Sequence, residues 1–268
     1  MLRVLYKAFA PRRIKNYLSL HKLLIENYIS PRLGHLPEGK KILVLAPHTD
    51  DEVIGCGGTL HKHFLAGAEI TVVYMTDGRK GDPLLFNQKI PAKEKNKIER
   101  ELIKQRREEA YRAARIIGIR HLIFLDHPDT ELRLNKETIF EMFNILRNTK
   151  PDLVYLPFLT DRHQDHIETN KIFIAAIKKG TFNFKCLGYE VWNPLYPNYM
   201  VEIKDTINIK IKALREYKSQ LMHNNYVKAI LGLNRYRSIF HLGGNSYVEA
   251  FFLATLEQYS YLYKISYE

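Results

Sequence analysis

Residues 41–52, Lys-Ile-Leu-Val-Leu-Ala-Pro-His-Thr-Asp-Asp-Glu, join a short apolar run to a polar turn that begins at His48. Such a run followed directly by polar residues is typical of a buried strand and the loop that leaves it. A second cluster, His-Gln-Asp-His at 163–166, follows another apolar run at 153–158. Histidine and aspartate are common ligands of catalytic metal ions. Two such clusters at strand ends therefore predict a metal-dependent hydrolase.

The rest of the chain's body alternates in the same way, with short apolar runs separated by longer amphipathic segments. We predict an α/β fold with a doubly wound, mostly parallel sheet, a Rossmann-like three-layer sandwich. Ligands bind at the carboxyl ends of the strands in such sheets, and polar residues follow four of the predicted strands. The predicted strands cover 42–46, 70–75, 122–125, 153–158, 188–192 and 199–203, and the predicted helices cover 57–66, 95–117, 136–148, 166–179 and 205–221.

The chain is predicted to divide into a basic N-terminal extension, 1–40, and a single domain, 41–268, whose length suits one large core. The extension holds eight Lys or Arg residues against two Glu residues, with apolar residues interleaved. This pattern predicts one or two basic amphipathic helices, which either pack on the domain or contact an anionic membrane surface through 1–38. Within the domain, 82–95 is too long for a plain connection and is predicted to form a lid.

The amino-acid composition limits which classes of partner and which cellular compartment we expect. The chain has 41 Lys and Arg against 29 Asp and Glu, a net charge of +12, which favours anionic partners or simply gives a solvated basic surface. No specific nucleic-acid partner is predicted. Two cysteines are too few for a disulfide scaffold, and no apolar stretch approaches the length of a membrane span. We therefore expect a cytoplasmic protein, either free or peripheral at the inner face of the membrane.

The first cluster offers two metal ligands and a base. His48 and Asp51 are three residues apart on a turn, so both side chains can aim at one point. A catalytic zinc site usually has three protein ligands and an open position, and either His163 or His166 can supply the third. Asp50 neighbours a ligand but points differently, which makes it the candidate general base. The structural alternative is that both aspartates cap the following helix.

The second cluster also offers more than a ligand. The histidine that does not bind metal is expected to stabilise the oxyanion of a tetrahedral intermediate. Asp165 is predicted to orient that histidine and to raise its pKa. Alone, this cluster is equally explained as exposed polar residues; both clusters together favour a catalytic site. Cys56 is a further candidate ligand or nucleophile, although a cysteine in this position is more often a packing residue.

The first cluster resembles the His-Pro-Asp-Asp-Glu motif of the PIG-L (LmbE-like) de-N-acetylases, and the second resembles their His-Pro-Asp-His motif. Weaker similarities are Thr-Asp-Gly-Arg-Lys-Gly at 76–81, Arg-x-x-Glu-Ala at 106–110 and Tyr-x-Ser-Gln at 217–220, so the resemblance covers about two thirds of the chain. These enzymes use zinc to remove the acetyl group from N-acetylglucosamine-type sugars.

The resemblance implies a role for each matching residue. His48, Asp51 and His166 would bind the metal, and Asp50 would be the general base. His163 would stabilise the oxyanion or act as the acid toward the leaving amine.

The remaining matches are supporting or substrate-binding residues. Asp165 would support the histidine acid, and Asp129 matches a carboxylate that contacts sugar hydroxyls. Arg79 falls in a substrate loop, which departs here from the family's Gly-Glu pattern. Thr49 replaces the family's usual proline, a change that we expect to matter little because this position is not a ligand.

We therefore predict zinc-dependent hydrolysis of the N-acetyl amide of an N-acetylglucosamine-type sugar or glycoconjugate, with Fe²⁺ or another divalent metal as the alternative to Zn²⁺. The expected substrate is a small, lipid-linked or nucleotide-linked amino sugar. A non-catalytic sugar-binding module is a competing hypothesis, but it would not need Asp50. A nucleotide-binding oxidoreductase is another, although the glycines at 55, 57 and 58 do not fit G-x-G-x-x-G.

Overall fold

A mixed eight-stranded sheet forms the centre of the computed structural model, which describes residues 11, 14, 15 and 31–267. The strand order is β1-β7-β8-β6-β5-β2-β3-β4, and every neighbouring pair is parallel except the two that involve β8. The strands are β1 (Arg32–Gly34), β2 (Lys41–Ala46), β3 (Glu69–Thr76), β4 (His121–His127), β5 (Leu153–Pro157), β6 (Lys185–Tyr189), β7 (Tyr199–Glu202) and β8 (Val248–Thr255).

Helices cover both faces of the sheet, as predicted for a three-layer sandwich. Among the described residues, helices α1, α2, α5 and α7 pack on one face of the sheet, and helices α3, α4 and α9 pack on the other. The helices are α1 (Asp51–Leu65), α2 (Ala92–Ile117), α3 (Lys136–Thr149), α4 (Gln164–Ile177), α5 (Ile207–Leu214), α6 (Lys218–Leu221), α7 (Tyr226–Arg237), α8 (Ile239–Leu242) and α9 (Leu256–Tyr267), with a 3₁₀-helix at Pro83–Phe86.

The apolar run of β2 is continuous because both faces of this strand are buried. Val44 and Ala46 face the layer that contains α1, whereas Leu43 and Leu45 face the layer that contains α3 and α4. A central parallel strand covered on both sides has no exposed face to carry polar residues.

The chain order brings the two clusters of the sequence together. From β2 the chain proceeds outward to β3 and β4 and then returns to β5, on the other side of β2. The carboxyl ends of β2 and β5 therefore flank the point at which the winding direction changes, which is where open α/β sheets bind ligands. The loop after β2 begins at His48, and α4 begins within the 163–166 cluster.

Three predicted boundaries were wrong. Helix α1 begins at Asp51 rather than 57, so both acidic residues of its first turn face the favourable end of the helix dipole. Strand β6 ends at Tyr189, earlier than predicted, because its register with β5 runs out at Pro157. The single helix predicted at 205–221 is broken near Tyr217, whose hydroxyl donates to Glu52.

Part of the predicted extension belongs to the sheet. Arg32–Gly34, which form β1, pair in parallel with β7 at the sheet edge. Residues 1–10, 12, 13 and 16–30 lie outside the described residues, so the predicted helices of the extension and the division at residue 40 stay predictions. Among the described helices, none has the length and apolar character needed to cross a bilayer.

The glycines of α1 permit close packing rather than phosphate binding. They lie inside the helix, and a Cβ on Gly55 would come within 2.3 Å of the Tyr189 ring. A Cβ on Gly58 would come within 2.9 Å of Ile203. The glycine spacing already argued against the nucleotide-binding hypothesis, and the position of these glycines inside a helix argues against it further.

A buried ion pair contacts the backbone of α1 next to these glycines. Lys210 and Glu249 are fully buried, and Lys210 Nζ lies 2.6 Å from Glu249 Oε1. Lys210 Nζ also donates to the carbonyl of Ile54, and Glu249 accepts from the amides of Gly58 and Thr59. In a regular helix the Ile54 carbonyl and the Gly58 amide bond to each other, so the ion pair contacts both halves of one backbone hydrogen bond.

Candidate active site

A pocket of about 270 Å³ opens at the carboxyl ends of β2 and β5. One side of it is polar, with His48, Asp50, Asp51, Arg106, Asp129 and His163 among the lining residues. All of these side chains except His163 are buried. The structure thus brings the first cluster, one histidine of the second and the predicted sugar-binding aspartate to a single pocket.

Three potential ligand atoms form a nearly equilateral triangle at the base of the pocket. His48 Nδ1 and Asp51 Oδ2 are 3.3 Å apart, and His166 Nε2 is 3.3 Å from Asp51 Oδ2 and 3.4 Å from His48 Nδ1. Ligands at the usual zinc distance of about 2.0–2.1 Å in a tetrahedral shell are separated by about 3.3–3.4 Å. The donor types and their spacing therefore fit a metal ion with one side left open.

Carboxylates lie behind two atoms of this triangle. His48 Nε2 is 3.0 Å from Asp165 Oδ2 and 3.2 Å from Asp129 Oδ1. His166 Nδ1 is 3.2 Å from Asp161 Oδ2. A carboxylate that faces the outer nitrogen of a ligating histidine fixes the ring and makes the inner nitrogen a better ligand.

The position of Asp165 corrects one prediction. Its carboxylate contacts His48, not His163, and it also accepts the amides of Thr130 and Leu132. Spacing along the sequence suggested His163 because the two residues are neighbours on one turn. The fold instead points Asp165 across the gap between β5 and β2.

The electrostatics of the site favour a positive charge between the two histidines. Burial acts to lower the pKa of His48, but hydrogen bonds with Asp129, Asp165 and Asp51 outweigh it and raise the pKa well above its usual range. Burial likewise opposes the charge of His166, yet Asp51 and Asp161 raise its pKa to about 9. The same carboxylates would favour a bound cation.

Two other sets of donors are close enough to be considered. Ligand atoms of His48, His163 and His166 lie within 4.8 Å of one another, as do those of His48, Asp129 and Asp165. In the second set, both carboxylates approach the same nitrogen, His48 Nε2, at 3.0 and 3.2 Å. The three atoms of the Asp51 set are 3.3–3.4 Å apart, which matches one tetrahedral shell, so this set is the better candidate.

Asp50 has an unusual backbone and an unpaired carboxylate oxygen. Its φ of 123° is a conformation that L-residues rarely adopt, and such strain of about 1–3 kcal/mol is typical of functional sites. Its side chain makes no capping bond with α1, which answers the structural alternative for this residue. Burial raises its pKa to about 8, against the opposing charge of Arg106. A cation beside it would lower that pKa and favour the basic form.

Buried Arg106, which was not predicted as a site residue, holds the loop that carries Asp50. Its guanidinium donates to the hydroxyl of Thr49 over 2.9 Å and to the Thr49 carbonyl over 2.7 Å, and it lies 3.5 Å from Asp50 Oδ1. Thr49 therefore has a structural role that was not expected. Its hydroxyl accepts a hydrogen bond from Arg106, and the family's usual proline has no hydroxyl for this contact. The Arg-x-x-Glu-Ala motif was the only signal in the sequence.

His163 lies beside the triangle and is partly exposed. Its Nδ1 accepts the amide of Asp165 over 3.3 Å, so a neutral ring carries its proton on Nε2. Burial, together with the charges of His48 and His166, lowers its pKa. Asp165 raises this pKa as predicted, but those effects outweigh the carboxylate. A neutral histidine with a free Nε2–H can donate to a developing oxyanion.

Two further expectations concern Arg79 and Cys56. Arg79 is bonded to Asp77 and is not among the residues that line the described pocket, where Lys80 and Gly81 take that place. Its predicted contact with substrate stays a prediction. Cys56 is fully buried, donates to the Glu52 carbonyl and has a raised pKa because of burial, so it is a packing residue.

The weak motifs of the sequence position residues at the pocket rim. Ser219 bonds the carboxylate of Glu109 through its amide and its hydroxyl, which fixes the start of α6 and directs Gln220 to the pocket. Glu52 accepts the Asp50 amide over 3.2 Å and the hydroxyls of two tyrosines, so it supports the strained turn. Spacing alone did not reveal these supporting contacts.

The chain is similar to known proteins over a span that contains both clusters. The sequence profile of PIG-L, described as GlcNAc-PI de-N-acetylase, matches residues 43–177, a span that contains both clusters. Diacetylchitobiose deacetylase of Thermococcus kodakarensis is 30% identical over 199 residues, which cover 68% of this chain and 70% of that protein. The chain belongs to the PIG-L family.

Two further relatives of this PIG-L family member broaden the comparison. The structure of N,N'-diacetylchitobiose deacetylase from Pyrococcus horikoshii has a TM-score of 0.68 and 27% identity, covering 89% of this chain and 92% of that one. The 4-oxalmesaconate hydratase of Pseudomonas putida is 30% identical over 128 residues, 47% of each protein. PIG-L proteins are metal-dependent de-N-acetylases, and this member is an enzyme of that hydrolase class.

Proposed function

We propose that the enzyme hydrolyses the N-acetyl amide of an N-acetylglucosamine-type sugar, releasing acetate and the free amine. The observation that carries the proposal is the triangle of His48 Nδ1, Asp51 Oδ2 and His166 Nε2, with all three separations between 3.3 and 3.4 Å. We assign these atoms as ligands of a divalent metal, with zinc as the expected ion because two imidazoles and a carboxylate suit it. Iron is the alternative.

The metal, when bound, supplies a Lewis acid that polarises the amide carbonyl and lowers the pKa of an attacking water. Asp165 and Asp129 hold the His48 ring through Nε2, and Asp161 faces the outer nitrogen of His166. These residues fix the ligands in place rather than touch the substrate's reacting atoms. Arg106 and Thr49 hold the turn on which Asp50 is displayed.

Asp50 is assigned as the general base. It accepts a proton as the oxygen of water bonds to the amide carbon, and its carboxylate lines the pocket for this step. The Nε2–H of neutral His163 donates to the oxyanion that develops on the former carbonyl oxygen. Breaking the C–N bond requires a proton on the leaving nitrogen, which Asp50 supplies after it has taken that proton from the attacking water. The products are acetate and the amino sugar.

The test is metal analysis followed by acetate release from a panel of N-acetylated sugars, with Asp50→Asn as the decisive variant. We expect this variant to keep its metal content while activity falls by about 10²- to 10⁴-fold. Asp205→Asn makes the same chemical change at an exposed position outside the pocket and is expected to retain full activity.

Two results would overturn the proposal. One is a protein that binds no divalent metal and releases no acetate from any sugar in the panel. The other is hydration of 4-oxalmesaconate, the substrate named for the Pseudomonas relative, without deacetylation.

The predicted membrane contact of the extension also stays a proposal, with a lipid-linked amino sugar as the corresponding substrate. Because Arg32–Gly34 belong to the sheet, a deletion that tests it should end at residue 30. The proposal requires the deletion to weaken binding to anionic vesicles or turnover of a lipid-linked substrate. Unchanged values for both would exclude this role.

A further inference from the structure

The pocket lining also includes apolar and aromatic side chains. Ile54 and Ile230 are buried, Val191 and Tyr226 are partly buried, and Phe86 and Trp192 are exposed and form the outer part of this lining. Although they line a pocket, Phe86 is 69% exposed and Trp192 is 55% exposed. Large apolar side chains exposed together at a cleft usually mark a ligand-binding surface.

Trp192 is held in a defined orientation beside the proposed catalytic histidine. Its ring is nearly parallel to that of His163, with an angle of 16° and centroids 6.3 Å apart, and the edge of Tyr226 packs against it at 79°. The Trp192 amide donates to Asp161, the carboxylate behind His166. The amide hydrogen bond and the ring contacts therefore both fix the orientation of Trp192, while more than half of the residue's surface stays exposed.

The pocket has room for little more than one small unit. Its volume of about 270 Å³, which includes the space beside Phe86 and Trp192, is below the range of about 300–1,000 Å³ that is usual for pockets of larger ligands. An acetamido sugar whose amide reaches Asp50 would fill this space. A group attached to that sugar must then extend past the rim, over Phe86 and Trp192.

The charges of the pocket lining disfavour a phosphate as that attached group. Its two Lys or Arg residues in the described part of the chain are Lys80 and Arg106. Lys80 is paired with Glu99, and Arg106 is committed to Thr49 and Asp50. A pyrophosphate at the rim would find no unpaired cation among these described lining residues.

We propose that Trp192, with Phe86 and Tyr226, forms a second subsite that binds a ring with an apolar face, attached to the acetamido sugar. A pyranose and an aryl group share this chemistry. The inference rests on the proposed deacetylase function and specifies its substrate class: a ring-bearing glycoside rather than a free monosaccharide or a nucleotide-linked sugar.

The test compares kcat/KM for acetate release from N-acetylglucosamine, N,N'-diacetylchitobiose, phenyl N-acetyl-β-glucosaminide and UDP-N-acetylglucosamine. We expect Trp192→Ala to lower kcat/KM for the two ring-bearing glycosides about 10- to 100-fold more than for the monosaccharide, the size usual for loss of one aromatic stacking contact. Trp192→Phe should recover most of that loss. The two glycosides distinguish a sugar from an aryl preference.

A matched control and a binding measurement guard against a folding defect. Tyr236 is 66% exposed and lies outside the described lining, so Tyr236→Ala should leave all four values unchanged. Trp192 is the only tryptophan of the chain, so its emission reports directly on the subsite. In Asp50→Asn protein, the phenyl glycoside should change this emission, and N-acetylglucosamine at equal occupancy should change it much less.

The outcomes separate the two proposals. The subsite would be refuted, and the deacetylase proposal left intact, if Trp192→Ala lowered kcat/KM for acetate release equally on one-ring and two-ring substrates. A preference for the nucleotide-linked sugar that does not depend on Trp192 would have the same meaning. No acetate from any compound would instead refute the proposed function.

Discussion

Two buried threonines near the site give opposite predictions for the same substitution. The Thr49 hydroxyl accepts a hydrogen bond from the buried guanidinium of Arg106 over 2.9 Å. The Thr59 hydroxyl, ten residues later in α1, is fully buried and has no hydrogen-bond partner among the described residues. Valine has nearly the shape of threonine but lacks the hydroxyl. Thr49→Val and Thr59→Val therefore compare the loss of a used hydroxyl with the loss of an unused one.

The expected magnitudes follow from burial. Thr49→Val leaves one N–H of a charged, buried group without its acceptor, which costs about 1–3 kcal/mol of unfolding free energy. Thr59→Val removes an unpaired buried polar atom and should be neutral or stabilise the fold by up to about 1 kcal/mol. The strain at Asp50 is of similar size to the bond lost at Thr49. Weaker restraint of that turn should therefore also lower kcat, by about tenfold for each 1.4 kcal/mol by which the activation free energy rises.

Thermal unfolding at a fixed metal concentration measures the first effect, and steady-state deacetylation together with metal analysis measures the second. We expect Thr49→Val to lose stability and kcat while its metal content stays that of the parent protein. Equal stability and equal kcat in the two variants would refute the view that the Thr49–Arg106 bond holds the base. Loss of metal from Thr49→Val would show that the turn serves the ligands instead.

Three further predictions concern groups around the site. Lys210→Met should destabilise the protein by about 3–5 kcal/mol in denaturant unfolding because it leaves Glu249 charged and buried. Adding Glu249→Leu to this variant should recover part of the lost stability. Additive losses from the two substitutions would contradict this. Burial lowers the pKa of His63 to about 4, whereas the unfolded chain has the ordinary value of about 6.5. Between these two pH values only the unfolded chain binds a proton at this histidine. The free energy of unfolding should therefore fall by about 3 kcal/mol as the pH is lowered from about 6.5 to about 4. His63→Gln should flatten this part of the stability profile, and an unchanged profile would assign the loss to other groups. Asp165→Asn should weaken metal binding about 10- to 100-fold in a chelator competition, and unchanged affinity would exclude its support of His48.

The layered, mostly parallel fold followed from the sequence, and so did the expectation that both clusters meet at one edge of the sheet, because both depend on strong patterns. Buried parallel strands read as apolar runs, and the residues after β2 and β5 must meet at the change of winding direction. His48, Asp51 and His166 could therefore be grouped before any coordinates were known. The family resemblance then separated His166 from His163, which spacing alone had left open.

What the sequence did not reveal depends on side chains that meet across the fold. Asp165 contacts His48 over a separation of 117 residues, and no local pattern records this. Asp161 lies beside His166 but resembles any polar residue of a loop. The role of Arg106 required knowing that α2 passes beneath the turn at Thr49. Such contacts depend on the packing of elements rather than on their periodicity.

The ion pair beside α1 has a consequence for how the enzyme matures. Glu249, on β8, bonds the amide of Gly58, which precedes it in the sequence by 191 residues. Strand β8 also lies between β6 and β7, so β1 and β7 cannot join the sheet before it is made. During synthesis the ribosome releases the chain from β2 to α4, with all three proposed ligands, well before the strand that secures α1. A nascent chain can thus present its histidines to metal before the helix that carries Asp51 is anchored, and completion of the catalytic centre is one of the late events of translation.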